Sequence, residues 1–128
     1  MGNLTYDFSG QTAIITGAAR GIGLEIGRFF AEAGADTVLI DFDENELDIA
    51  SDQVGAKGIA ADVSNTESVD KAIADVMATT GRVDILVNNA GILRDKVLWK
   101  ISDEDWDAVL GVHAGGTFRL TRACVPHF

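Results

Sequence analysis

The 128-residue chain predicts an α/β fold wound on both faces of a parallel sheet, and three observations carry the prediction. First, Thr12-Ala13-Ile14-Ile15-Thr16 is a β-branched apolar run, followed at once by Gly17-Ala18-Ala19-Arg20-Gly21-Ile22-Gly23. Apolar residues then fall at Ile22, Ile26, Phe29, Phe30 and Ala33, a helical spacing, so the stretch reads strand, glycine turn, helix. Second, three further apolar runs alternate with helical patterns. Third, the clearest of these runs is continuous rather than alternating, which suits a strand buried on both faces. The order βαβαβαβα then argues for a doubly wound parallel sheet, and right-handed crossovers place the strands 3-2-1-4.

Each element has local signals. Gly34 stops the first helix. Thr37-Val38-Leu39-Ile40, closed by Asp41, is the second strand. Asp43 or Asn45 can cap a helix from about Glu44 to Gln53. Lys57-Gly58-Ile59-Ala60-Ala61 is a third strand ending at Asp62-Val63. Ser64 or Asn65 caps the next helix, with Glu67 spaced for a capping box with Ser64. That helix puts Val69, Ala72, Ile73, Val76 and Met77 on one face and stops near Gly81. Val83-Asp84-Ile85-Leu86-Val87 is the fourth strand, running directly into Asn88-Asn89-Ala90-Gly91. Ser102-Asp103-Glu104-Asp105 starts a long helix that runs from about Glu104 toward Ala123 or Val125, before Pro126. The fourth strand has no partner on its outer side, so the sheet is expected to be incomplete. A buried-type strand left as an open edge invites pairing.

Composition narrows the function classes. The chain is 47% hydrophobic, enough for a packed core, and its length suggests one domain over residues 1–128. A net charge of −10 argues against nucleic acid or an anionic membrane as partner. Cys124 stands alone, which excludes an internal disulfide and fits a reducing compartment; it reads as a small apolar helix residue. Met1 to Gly10 lacks the basic start and apolar core of a signal peptide, and no apolar run reaches membrane length. A cytoplasmic protein without a metal site is expected.

The glycine turn carries the chemistry. Gly17 permits a tight turn, Gly21 lets backbone N–H groups approach a ligand, and Gly23 lets helix and strand pack closely. The following helix N-terminus offers unpaired N–H groups and a positive dipole end to a pyrophosphate. Asp41, about 20 residues past the turn, can accept both adenosine ribose hydroxyls and repel a 2′-phosphate, favouring NAD over NADP. An ordinary polar strand end is the alternative. Arg20 pulls the other way, since its guanidinium could hold a 2′-phosphate and keep NADP in play. Asp62 can accept from the adenine amino group or simply cap a helix. Of Asn88 and Asn89, one amide can tie neighbouring strands while the next faces ribose, or both can form a turn.

Together these stretches resemble the short-chain dehydrogenase/reductase family over essentially the whole chain. Thr16 to Gly23 looks like its TGxxxGIG cofactor turn, Asp62-Val63 like its adenine-contacting pair, and Asn88-Asn89-Ala90-Gly91 like its NNAG motif. The resemblance implies a Rossmann fold and hydride exchange between a nicotinamide cofactor and an alcohol or carbonyl. It implies cofactor contacts from Gly17, Ala18, Ala19, Arg20, Gly21, Ile22 and Gly23, with Asp41 on ribose and Asp62 and Val63 on adenine. Asn89 and Ala90 would line the inner ribose, with Gly91 also a cofactor-binding residue. Gly91 to Asp95 and Asp103 to Asp107 look most like 3-oxoacyl reductases and the (3R)-hydroxyacyl-CoA dehydrogenase units of peroxisomal multifunctional enzymes. An acyl thioester is the substrate this narrower likeness suggests.

Two departures stand out. The family's catalytic Ser and its Tyr-x-x-x-Lys pair do not occur here: Tyr6 is the sole tyrosine and has no lysine four residues on. In the family that tyrosine transfers the proton and the lysine lowers its pKa. His113 stands where the family usually has a catalytic Asn in the long helix. Its imidazole could support the same water-mediated relay, or it could be a core histidine on a face with Trp106, Val109 and Leu110. The long helix is apolar nearly all round, which predicts burial on more than one side. The resemblance implies a homo-oligomer contact through residues 104–125, and close backbone approach would rationalise Gly111, Gly115 and Gly116. The leading expectation is therefore the N-terminal, cofactor-binding half of an oxidoreductase, inactive without the rest. The alternatives are a naturally short, non-catalytic dinucleotide-binding or interaction module, and a half that assembles with a separate C-terminal chain.

Overall fold

A computed structural model describes residues 3–128; Met1 and Gly2, part of the N-terminal stretch assessed for a signal peptide, lie outside the described residues. The chain alternates strand and helix as β1 (Thr12–Thr16), α1 (Gly21–Glu32), β2 (Asp36–Asp41), α2 (Glu44–Val54), β3 (Lys57–Ala60), α3 (Thr66–Thr80), β4 (Ile85–Val87) and α4 (Asp103–Cys124). Single 3-10 turns lie at Leu98–Lys100 and Val125–His127. The four strands form one parallel sheet in the order β3-β2-β1-β4. This is the predicted Rossmann-type order. Among the described residues, the outer edge of β4 has no strand partner.

Strand side chains alternate faces, so a fully buried central strand feeds two cores. Ile14 of β1 and Val38 and Ile40 of β2 pack with Val69, Ala72, Ile73 and Val76 of α3 and with Leu120 and Cys124 of α4. Ala13, Ile15 and Leu39 point the other way, onto Leu47 and Ala50 of α2 and partly buried Leu24, Ile26 and Phe30 of α1. The result is three layers, with α1 and α2 on one face and α3 and α4 on the other. Burial pushes the Cys124 thiol up to about 11, as its reading as a small apolar residue implies. No helix among the described residues is long and apolar enough to cross a membrane, and none of their His, Cys, Asp and Glu side chains form a metal-binding cluster.

Four local expectations need correction. The α1 stripe does not face the sheet as a whole: Ile22 is 74% exposed, and the buried positions are Gly23 and Gly27. A Cβ on Gly27 would meet Leu39 Cδ2 at 2.5 Å, so glycine sets the depth at which α1 lies on β2. Phe29 is instead at the rim, edge-on to Tyr6 and Phe8 of the N-terminal segment. The α3 cap is Asn65, whose Oδ1 accepts from the Ser68 amide at 2.9 Å; no Ser64–Glu67 box forms, because the Ser64 hydroxyl donates to Asp62. The α4 face is less buried than its composition predicts. Gly116, Leu120 and Cys124 pack inward, while Trp106, Leu110, Phe118 and Val125 are exposed. Gly116 is accounted for within the chain, since a Cβ there would press on Val63 Cγ2 at 3.0 Å. Finally, His113 is exposed, as are Trp106 and Leu110, so it is no core histidine.

Candidate functional site

All four strands end on the same side of the sheet, and their exits converge on a cleft of about 950 Å³. The β1 exit contributes Gly17 and Arg20, and the β2 exit Asp41, Phe42 and Asp43. The β3 exit contributes Ala61, Asp62, Val63 and Ser64, and the β4 exit Asn89, Ala90, Gly91, Ile92 and Arg94. Asp107, Ala108, Gly111 and Val112 of α4 close one wall.

Thr16 holds the β1 and β4 exits together. Its hydroxyl oxygen accepts from the amides of Asn89 and Ala90, both at 3.0 Å, and its proton points at the Val87 carbonyl at 3.4 Å. The Asn89 Nδ2 donates back to the carbonyls of Thr16 and Gly17 at 3.1 and 3.2 Å. Asn89 is thus the strand tie, while Asn88 Nδ2 donates to Thr121 of α4 at 3.3 Å. With this lattice in place the glycine turn has no spare room beneath it. Gly17 has φ +63°, and a Cβ there would lie 2.8 Å from Ala90 Cα. A Cβ on Gly23 would come within 2.5 Å of Asn89 Nδ2. At the opposite end of the same two strands, Asp84 accepts from the Thr12 amide at 2.8 Å and is held by Arg82, which keeps its carboxyl below the usual carboxylate range.

The acidic strand ends are fixed by backbone amides. Asp41 accepts from Ala19 N–H at 3.0 Å and from Asp43 N–H at 3.1 Å, which orients its carboxylate at the cleft. Asp62 accepts from the Ser64 amide at 2.9 Å and from the Ser64 hydroxyl at 2.6 Å. Arg20 reaches over the rim to Glu46 at 3.0 Å and Asp43 at 3.8 Å. No side chain caps α1, and Arg20 sits in extended geometry at its N-cap, so the first-turn amides remain available to an anion.

The other named residues fall around the cleft rather than in it. Ala18 and Ala19 are buried in the turn, and both amides are engaged, Ala18 N–H donating to the Ile40 carbonyl at 3.2 Å and Ala19 N–H to Asp41. Gly21 and Ile22 border a separate shallow depression with Glu25, Ile26 and Phe29. His113 lies behind Gly91, where a Cβ would meet the ring carbon at 2.5 Å. Its Nε2 is 3.0 Å from the Ile92 amide and 2.9 Å from the Ile92 carbonyl, so one nitrogen faces a donor and an acceptor. Nε2 accepts from the amide in one tautomer and donates to the carbonyl in the other. Tyr6 stacks on Phe8, away from the cleft lining. Ser64, Phe42 and Arg94 were not legible as site residues, and Thr16 only as the first residue of the glycine-turn motif. For Thr16 alone there is a sequence signal, a hydroxyl ending an apolar strand just before the glycine turn.

A doubly wound sheet with a glycine turn and an acidic β2 end defines a dinucleotide-binding protein class. The chain belongs to the short chain dehydrogenase family, whose sequence pattern matches residues 11–128. It is an oxidoreductase family. The chain is 42% identical over 124 residues to the peroxisomal hydratase-dehydrogenase-epimerase of Neurospora crassa, covering 95% of this chain and 14% of that protein. It is 39% identical over 119 residues to the 3-oxoacyl-[acyl-carrier-protein] reductase of Escherichia coli, covering 91% and 49%. Among solved structures, a short-chain dehydrogenase/reductase of Brucella melitensis superposes with TM-score 0.93 at 32% identity, covering 98% and 54%. A metagenomic short-chain oxidoreductase in complex with NADP superposes with TM-score 0.85 at 34% identity, covering 93% and 57%. The chain thus spans at most about half the length of the curated relatives named here.

Proposed function

We propose that residues 1–128 form the cofactor-binding half of an NAD-dependent oxidoreductase of the 3-oxoacyl reductase or 3-hydroxyacyl dehydrogenase type. The observation that carries this reading is the convergence of Gly17, Asp41, Asp62, Val63, Asn89, Ala90 and Gly91 on one cleft from four different strands. The cleft volume suits a small-molecule ligand, and the residues fit a dinucleotide. The uncapped α1 amides and the turn from Gly17 to Gly23, with Ala18, Ala19, Arg20, Gly21 and Ile22 between, would hold the pyrophosphate. Asp41, oriented by two amides, would take the adenosine ribose, and Asp62 and Val63 the adenine. Ala90 and Gly91 would flank the inner ribose, with Asn89 fixing their height against β1. The cofactor, when bound, supplies hydride chemistry. This chain's contribution is orientation and a negative ribose pocket.

The cleft lining holds no tyrosine and no lysine, so no group here can hand a proton to a substrate oxygen in the manner of the family. Residues 1–128 alone should therefore be inactive, and turnover requires groups from elsewhere in the assembled enzyme. The substrate is a small carbonyl or alcohol, with an acyl thioester as the proposed type; the Escherichia coli relative is named for a 3-oxoacyl-[acyl-carrier-protein]. His113, tied to Ile92 beside Gly91, would steady the cleft's β4 wall in the place of the usual Asn. The exposed apolar side chains of α4 would meet a second copy in a homo-oligomer. The cytoplasm is the proposed location, supported by the single buried thiol; the peroxisomal name belongs to the Neurospora relative. No observation favours a naturally short, non-catalytic module. The test is titration of the native gene product with NADH and NADPH. Asp41→Ala should weaken NADH binding and narrow its margin over NADPH; an unchanged preference would remove the reason for naming NAD.

A further inference from the structure

We infer that Glu46, on the first turn of α2, is a specificity-determining residue that selects against a 2′-phosphorylated dinucleotide by holding Arg20. The inference rests on the cofactor-binding reading above and goes beyond it by naming a residue outside the cleft lining. Arg20 and Asp41 line the same cleft, and a free guanidinium there is the natural partner of a phosphate. It is not free. Its Nη2 lies 3.0 Å from Glu46 Oε2 and 3.8 Å from Asp43 Oδ2.

The pairing is built into the local fold. Asp43 caps α2 by accepting from the Glu46 amide at 3.1 Å, which fixes the turn that carries Glu46. The amide of the same Asp43 donates to Asp41, which in turn accepts from Ala19, the residue preceding Arg20. Glycine turn, β2 end and α2 cap are thus locked in one hydrogen-bonded loop that sets Arg20 against two carboxylates. Two carboxylates thus face one guanidinium beside the β2 end, where the cofactor-binding reading puts the adenosine ribose. A phosphate there would have to displace Glu46 from Arg20 and then sit beside the released carboxylate. A 2′-hydroxyl meets neither cost. An exposed ion pair contributes little to stability, so its effect should be seen in ligand choice rather than in folding.

The test uses fluorescence titration of the native gene product with NADH and NADPH, comparing wild type, Glu46→Gln, Arg20→Gln and the double variant. Glu46 is on the surface and its cap contact is made by its backbone, so Glu46→Gln should keep its thermal unfolding temperature. The expected result is NADPH binding tighter by roughly three- to ten-fold in Glu46→Gln, with NADH binding unchanged. The gain should vanish in the double variant and shrink at high salt. An unchanged NADPH-to-NADH ratio in Glu46→Gln would overturn the inference, as would a gain that survives Arg20→Gln. A wild type that already prefers NADPH would overturn it too, because Arg20 would then be available without help. Binding of neither nucleotide by wild type is a different failure: it sinks the cofactor-binding reading, and this inference with it.

Discussion

At the scale of single residues, the site depends on Thr16 and Gly17 more than on its charged groups. Replacing Thr16 with Val keeps the shape but leaves the Ala90 amide without its acceptor, while the Asn89 amide retains the Val87 carbonyl at 3.1 Å. Unpaired donors of this kind cost about 1–3 kcal/mol each. Thr16→Val should therefore lower the unfolding free energy by about 1–3 kcal/mol in denaturant titration and weaken NADH binding, since the turn holding Ala90 and Gly91 loosens. Gly17→Ala meets two obstacles, the left-handed backbone and Ala90 Cα at 2.8 Å. The backbone term alone is about 1–2 kcal/mol, and the contact should displace the β4 exit, so NADH affinity should fall by at least ten-fold. Retained affinity in Gly17→Ala would mean that the turn is not the pyrophosphate site. Gly17 and Asp41 were legible in the sequence because glycine and acid at fixed spacing answer to a local backbone need. Thr16 and Asn89 were harder to assign, because their partners lie more than 70 residues away and only the folded sheet joins them.

At the scale of elements, the helix ends and faces divide in the same way. The caps at Asp43 and Ser102 follow from short-range chemistry, and both accept as expected, from the amides of Glu46 and Asp105. The α1 face misled, because hydrophobic periodicity finds large apolar residues while this helix meets the sheet through Gly23 and Gly27. The first turn of α4 holds a contact that no local pattern reveals. Asp105, a buried carboxylate, pairs with Lys96 and with Arg94 at 3.6 Å, pinning the segment between β4 and α4 beside the cleft. The Lys96 hydrogen bond holds its carboxyl below the ordinary value of 3.8, aided by Ser102 and Arg94 and opposed by partial burial. A carboxyl lowered in the folded state binds fewer protons there than when unfolded, so stability rises with pH across that range. The contribution is complete above the ordinary carboxylate value and is lost as pH falls through the lowered one. Asp105→Asn should thus unfold at a lower temperature than wild type at pH 7, and the gap should close as the acid range is entered. A gap independent of pH would show that the pair contributes no charge interaction.

On the scale of the whole molecule, two surfaces are left uncovered among the described residues: the outer edge of β4 and the apolar face of α4. Trp106 and Phe118 are both 59% exposed, large aromatic groups on one helix, and exposed apolar groups of that size are candidates for a contact surface. They are unequal candidates for a structural role, because Arg122 already stands 4.6 Å over the Phe118 ring while Trp106 has no aromatic or cationic partner among the described residues. Neither lines the cleft. Charging them should therefore separate assembly from cofactor binding. In Trp106→Glu and Phe118→Glu the sedimentation of the native gene product should shift toward the monomer, with NADH affinity held, since exposed substitutions of this kind change stability by only about 0.5 kcal/mol. If both variants sediment as wild type, α4 is covered from within the same polypeptide, and intact mass decides how. A mass about twice that of the 128-residue chain would supply both a strand for the β4 edge and the missing proton donor. A mass equal to the 128-residue chain would leave turnover dependent on a second, different chain, detectable as NADH oxidation that appears only when that partner is added.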